Sequence, residues 1–307
     1  MKVVRNWSDY NKSLVNRGSL TVWFDESSVS TWTAWKRPEG SKKGGRPGAY
    51  GDSAIICALT LRYVFNLPLR ATEGFLKSLL SILKIEVPTP SFSTISKRMQ
   101  SVAVNLPQQI SSGRVDLVID STGLKVYGEG EWKVKKHGAD KRRVWRKLHL
   151  AVDPDTHEIV LCELTDSSRH DSKSAASMLA GLKGKVGKVY GDGAYDNSVA
   201  RGAIQRAGGK AIVPPRSGAA LKPNATAKWE KQRNKDIKNR WKLGGDEEWK
   251  RATGYHRRSL AETAMGRFKG RFGGNLKSRN FESQENEAHI KSKILNKMSS
   301  LGMPNRS

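Results

Sequence analysis

The chain is short of cysteine, of acid and of long apolar runs. Only Cys57 and Cys162 occur in 307 residues. Two cysteines make neither a disulfide framework nor a zinc site, and they fit a reducing compartment. The six histidines are scattered, with no His-Glu-x-x-His or Cys-x-x-Cys spacing. No stretch approaches the ~20 apolar residues that span a bilayer, and the opening residues, Met1 to Lys12, hold no apolar run of a signal peptide. Acidic residues number 29 against 55 basic ones, a formal charge of +26 and a pI near 10.2. Such an excess over an enzyme-sized chain favours a polyanionic partner, nucleic acid first of all. Hydrophobic residues at 37% can still bury a sizeable core, which argues against disorder throughout.

Residues 1–50 read as a basic, irregular arm. It holds Trp7, Trp23, Trp32 and Trp35, then a Gly-rich run with Lys42, Lys43 and Arg46. Gly45-Arg46-Pro47 is similar to part of a minor-groove arm, which makes Arg46 a candidate DNA contact; a solvated linker fits the same residues. Residues 51–110 read as a helical DNA-binding domain. Asp52 is placed to cap a helix carrying Ile55, Ile56, Leu59, Val64 and Phe65, ended by Pro68. Leu69 to Leu83 carries Phe75, Leu76, Leu79, Leu80 and Leu83 at helical spacing. After Pro88 and Pro90 comes a short, hydroxyl-rich helix, Ser91 to Arg98, ending in Lys97 and Arg98. Helix, break and short basic helix outline a helix-turn-helix that would bring Lys97 and Arg98 to DNA. Any small helical bundle would show the same outline.

From residue 114 strands and helices alternate. Arg114 to Asp120, Val144 to Val152 and His157 to Thr165 read as strands, the last two as a hairpin around Asp153-Pro154-Asp155. A helix (Ser172 to Leu182), a strand (Lys188 to Asp192), a helix (Ser198 to Ala207) and a strand (Lys210 to Val213) follow. This order predicts an α/β fold with an RNase H-like mixed sheet over residues 111–303. Residues 216–254, with Trp229, Trp241 and Trp249 among cations, read as a basic insertion. A closing helix, Gln284 to Leu301, is expected to pack on the core.

Two acids follow apolar strands and precede small residues: Asp120 in Val118-Ile119-Asp120-Ser121-Thr122-Gly123, and Asp192 in Val189-Tyr190-Gly191-Asp192-Gly193. An acid at a strand end is held rigidly, and a neighbouring glycine lets a phosphate or metal approach. One such acid alone is more readily a turn former; two at equivalent sheet ends shift that balance. A third acid, Glu262, sits in a helical segment. At about 100° per residue, Tyr255, Arg258, Glu262 and Lys269 share a stripe about 60° wide, with Leu260, Ala264 and Phe268 on a separate apolar stripe. Taken alone, Arg258–Glu262 is an ordinary i,i+4 pair. Three carboxylates from distant parts of a basic chain suit Mg²⁺, a hard cation, and two such ions roughly 4 Å apart suit in-line displacement at phosphorus.

These blocks resemble the DDE transposases of bacterial insertion sequences, in the insertion-sequence-five group. The group's signature is Tyr, two residues, Arg, three residues, Glu, six residues, Lys, matched here by Tyr255, Arg258, Glu262 and Lys269. Ile119 to Lys125, Gly191 to Asp196, Arg142 to His149 and Leu69 to Phe75 are also similar to the family's blocks. The resemblance implies an RNase H-like fold, with Asp120, Asp192 and Glu262 as catalytic metal ligands for two Mg²⁺ ions, Mn²⁺ as a substitute. It implies that Tyr255, Arg258 and Lys269 grip DNA, and Lys125 in the first block is a further candidate contact. The expected partners are the terminal inverted repeats and target DNA, in a homodimer or larger assembly in the bacterial cytoplasm, at the nucleoid. A catalytically silent DNA-binding derivative and a structure-selective nuclease remain open from the sequence.

Overall fold

The computed structural model describes residues 5–24, 27–34, 49–104, 106, 113–126, 144–216 and 218–304. Arg46 with the rest of its Gly-rich run, Trp35, Arg142 and Arg143 lie outside them. The helices up to residue 98 are α1 (Trp7–Asn16), α2 (Leu20–Trp23), α3 (Ser27–Ser30), α4 (Asp52–Val64), α5 (Leu69–Ile82) and α6 (Phe92–Arg98). Three strands follow, β1 (Val115–Val126), β2 (Trp145–Val152) and β3 (Ile159–Asp166). Then come α7 (Asp171–Leu179), β4 (Val186–Tyr190), α8 (Ser198–Arg206), β5 (Lys210–Ile212), α9 (Lys228–Lys242), α10 (Asp246–Thr253), α11 (Ser259–Phe272) and α12 (Phe281–Ser300). The chain forms two compact units, Met1–Asn105 with Leu276–Ser307, and Leu106–Asn275.

The first unit is helical. Helix α4 is buried nearly all round, with Ala54, Ile55, Ala58, Leu59 and Leu61 fully enclosed, as a helix at the centre of a bundle must be. Helix α5 buries only one stripe, Thr72, Leu76, Leu79 and Leu80. The closing helix α12 packs on α4 and groups with this unit rather than with the sheet. Its long apolar face, Ala288, Ile290, Ile294, Leu295 and Met298, finds its partner there. Residues 1–50 were expected to be irregular, yet α1 to α3 form. The sequence signal was tryptophan: Trp23 and Trp32 are buried, and their indole N–H groups donate to Arg17 O at 2.8 Å and to Pro88 O at 2.8 Å. The connection between α5 and α6 runs from residue 83 to residue 91, tied by Trp32 and by Tyr50, whose hydroxyl donates to Thr89 O at 2.9 Å. Asp52 does not cap α4, which begins from Gly51 without a side-chain cap; its carboxylate instead pairs with Arg98. Ser91 does cap α6, accepting from Thr94 N at 3.3 Å.

The second unit is a mixed α/β layer structure with strand order β3-β2-β1-β4-β5, consistent with the RNase H-like expectation. β1, β2 and β3 are antiparallel neighbours, while β4 and β5 run parallel to β1. Side chains alternate across a strand. Leu117 and Ile119 face α7 and α8, with Ala175, Leu179, Val189 and Ile204. Val118 faces the opposite layer, with Tyr190, Ile212, Trp249 and Ala261. The expected basic insertion folds as α9 and α10.

Candidate active site

Asp120 is not at a strand end. It is the sixth residue of the twelve in β1, opposite Leu150 of β2. The hydroxyl- and glycine-rich stretch after it continues the strand because β2 pairs with it residue by residue, Ser121 with His149 and Gly123 with Lys147. Gly123 fits closely there, since a Cβ would meet the Trp145 ring at 3.2 Å. Alternation places Asp120 on the Val118 face, toward α11. Asp192 does stand just past a strand, β4. Its carboxylate caps the following turn by accepting from Ala194 N at 2.9 Å. Gly191 beside it serves packing, because a Cβ would lie 2.9 Å from the Tyr195 ring and 3.3 Å from Ile119. Only Gly193 faces open space on that loop, its nearest neighbour 3.9 Å away.

The third block bends where a continuous helix was expected. Tyr255–Arg258 is a 3₁₀ turn and α11 begins at Ser259, so the stripe drawn from Tyr255 does not follow one helix axis. The anchoring face is Ala261, Ala264, Met265 and Phe268, and Leu260 is only half-buried. Tyr255 packs against Trp249 and the Val118 layer, and burial raises its phenol pKa. Arg258 reaches between elements: Nη1 lies 2.8 Å from Glu262 Oε1 and Nη2 3.5 Å from Asp120 Oδ2. Asp120 lies above the usual carboxylate range, because burial outweighs its bond from Ser121 N and the nearby Arg258, while the charges of Asp192 and Glu262 push the same way. So the charges of Asp192 and Glu262 both bear on Asp120, and all three acids bear on one guanidinium. Among the described residues no three acids, histidines or cysteines are grouped closely enough to hold a metal ion as they stand.

Residues 111–297 match a family model described as a transposase DDE domain, and residues 15–129 match a second model with the same description. The chain belongs to the DDE transposase family. It is an enzyme of DNA transposition. No single helix among the described residues is long and apolar enough to cross a membrane.

Beneath the transposase's acid cluster is a polar wall that sequence reasoning missed. Asp171 of α7 pairs with Lys147 at 2.8 Å and lies 3.5 Å from His149 Nδ1; Lys147, with the Ser121 hydroxyl and His149, holds its pKa low against the effect of burial. His149 is fully enclosed, with Nε2 3.0 Å from Thr165 Oγ1 and 3.2 Å from Ser174 Oγ. Burial lowers its pKa to about 4. Tyr195 is buried beside Asp171, Asp120 and Asp192, and its phenol pKa is raised, burial first and those charges adding. The signal was present in the Lys147-Leu148-His149 block, which alternation could have sorted into faces.

A second cluster follows four residues after Asp192. Asp196 receives Arg201 Nε at 2.7 Å and Arg233 Nε at 3.1 Å, while Arg201 Nη1 reaches Asp236 at 3.0 Å and Nη2 donates to Val213 O at 2.9 Å. It ties α9 to the loop of Asp192. Among the remaining candidates, Lys125 lies 5.6 Å over the Trp145 ring, and Lys269 shares a helix face with Glu262, seven residues on. In the first unit Lys97 is exposed. Arg98 is engaged within its own unit, donating to Tyr50 O at 2.7 Å and pairing with Asp52.

Proposed function

We propose that this transposase belongs to the insertion-sequence-five group, binds the terminal inverted repeats of its element, and uses Asp120, Asp192 and Glu262 as the catalytic carboxylates. The observation that carries the reading is the guanidinium of Arg258 lying between Asp120 of β1 and Glu262 of α11, with Asp192 acting on both Asp120 and Arg258. Acids gathered from three separate elements repel one another, and a cation must offset that repulsion. The donors fit a divalent ion in kind: all are hard oxygens, and the exposed Glu262 keeps room to turn. Mg²⁺ held by these three, with Mn²⁺ as a substitute, would supply an acidified water and charge neutralisation at phosphorus.

The chain's own residues do the rest. β1 and the capped loop at Gly193 fix the first two carboxylates, so little reorganisation is needed at the moment of reaction. Arg258 exchanges its carboxylates for a backbone phosphate, and Tyr255, braced by Trp249, lines the path of the strand. Lys269 and Lys125 add positive charge beside it. Water attacks phosphorus in line, the P–O3′ bond breaks, and a free 3′-hydroxyl and a 5′-phosphate result. That hydroxyl then attacks a phosphodiester of target DNA in the same site. The helical unit, with Lys97 exposed on it, recognises the repeats, and Arg46 of the basic Gly-rich run adds a contact. Two ends require two copies of the site, hence a dimer or larger assembly, working on the nucleoid. The test is incubation of the full chain with labelled duplexes from the DNA flanking its gene. Mg²⁺-dependent nicking at the repeat ends and joined products support the proposal; tight binding with no product in Mg²⁺ or Mn²⁺ would identify a silent derivative instead.

A further inference from the structure

The helical unit holds a buried arginine that its own chain leaves largely unused. Arg62, in the last turn of α4, is 8% exposed. Its Nε has no hydrogen-bond partner, and Nη1 makes only a 3.9 Å contact to Met99 Sδ. The guanidinium lies over the Tyr63 ring at 5.2 Å, which orients it without satisfying its N–H groups. An unpaired buried charge is costly, so a fold that keeps one has a use for it.

Arg62 lines an open cavity of about 430 Å³ with Gln100, Lys277, Arg279, Asn280 and Ser283. Lys277 is held below its usual pKa by burial, with Arg62 and Lys291 adding to the shift. The one buried acid nearby, Glu287, is committed elsewhere. It pairs with Lys291 at 2.6 Å and accepts from Lys277 N at 2.9 Å, Ser278 N at 2.9 Å and Ser278 Oγ at 2.7 Å. Asn280 caps α12 on the rim by accepting from Ser283 N at 3.0 Å, and the helix start adds partial positive charge; the exposed Glu282 is the acid of that first turn. Cations in excess, hydroxyl and amide donors, and a helix start are the chemistry of a tetrahedral oxyanion seat.

We propose that the cavity at Arg62, Lys277 and Arg279 seats a phosphate group of the DNA backbone. The phosphate chemistry stands on the cavity alone; DNA as its source rests on the transposase reading. The seat fixes register without reading sequence, so it acts at any duplex.

The experiment uses the full chain and two probes. Thermal unfolding compares inorganic phosphate with chloride at equal ionic strength, and fluorescence anisotropy follows a labelled random duplex across a salt series. Phosphate should raise the midpoint of the wild type and not that of Arg62→Met. That variant should bind the duplex about tenfold more weakly, with a salt slope smaller by about one, and should be no less stable in chloride, since an unpaired buried charge has been removed. A folded Arg62→Met with wild-type responses to both probes overturns the proposal. So does a variant that merely unfolds more easily, as loss of the Tyr63 contact alone would give, with phosphate still raising its midpoint. Should Arg62→Met not fold, Lys277→Met and Arg279→Gln decide: each should weaken duplex binding about threefold, and unchanged binding by both overturns it. A lost phosphate response with unchanged duplex binding overturns DNA as the source and assigns the seat to a free phosphate. A wild type that binds no DNA yet keeps the Arg62-dependent phosphate response would overturn the transposase function and leave the seat standing.

Discussion

Two acid–arginine clusters lie in the same unit, one around Arg258 and one around Asp196, and they are built to opposite ends. At Asp196 the central pair is enclosed and answered: the Asp196 and Arg201 side chains are 0% and 1% exposed. Two arginines hold Asp196 below the ordinary carboxylate range although burial opposes them. Asp236, with Arg201 and the charge of Lys210 drawing it down, stays above that range because burial prevails. At Asp120 a single guanidinium serves two acids at unequal distance, Glu262 is 56% exposed, and Asp120 remains raised. The closed cluster spends its charges on holding α9 to the loop; the open one leaves its charges short of partners. Incomplete compensation marks the site where a ligand enters.

The comparison can be broken by substitution, and the largest effect falls on the open cluster. Asp120→Asn, Asp192→Asn and Glu262→Gln should each lower end cleavage by about 10³-fold or more, measured on labelled duplex, while duplex binding persists. Near-normal cleavage by any one would remove that residue from the catalytic set. In the closed cluster the damage should be structural. Arg201→Leu strands the buried Asp236 and leaves Asp196 to Arg233, and should cost about 3–5 kcal/mol, a fall of roughly 10 °C in the thermal midpoint. A midpoint within 2 °C of wild type, roughly the effect of 1 kcal/mol or less, would show that the cluster bears little of the fold.

Acid should loosen the polar wall beneath the open cluster. His149 has its pKa lowered from 6.5 to about 4, so the unfolded chain binds the extra proton first as pH falls. The stability held by neutral His149 is full above pH 6.5 and is lost progressively between 6.5 and 4, about 3 kcal/mol in all. His149→Gln should flatten that part of a stability–pH curve measured by denaturant titration; an unchanged slope would refute the assignment. The smallest effect is expected at Arg258. It is partly exposed, so Arg258→Gln should shift stability by about 1 kcal/mol or less, yet weaken cleavage strongly. A large stability loss would make Arg258 a structural arginine like Arg201.

Much of this contrast was legible in the residues. The order of strands and helices from β1 to β5 followed from alternation and breaker residues, and Asp120, Asp192 and Glu262 stood out because each sits in a short, locally distinctive block. Other features depended on contacts between distant segments. Nothing local to Ser121–Lys125 says that a turn-like composition will be held extended by β2, and Gly191 looked like access for a ligand until the Tyr195 ring was seen under it. The pairing of Arg98 with Asp52 could not be read locally because Asp52 lies far back in the chain. The Asp196 cluster was invisible for the same reason: Arg201, Arg233 and Asp236 are ordinary helix-surface residues until α8 and α9 meet. Period and composition report the local face of an element, whereas charge pairing is decided by what that face meets.

The central claim, that Asp120, Asp192 and Glu262 bind the ion that drives cleavage, is tested most directly by replacing each in turn with cysteine and measuring nicking of the repeat-end duplex in Mg²⁺ and in Mn²⁺. A sulfur ligand tolerates Mn²⁺ better than the harder Mg²⁺. The account predicts that each variant is inactive in Mg²⁺ and regains part of its activity in Mn²⁺. Cleavage at the wild-type rate in Mg²⁺ by any of the three would contradict it.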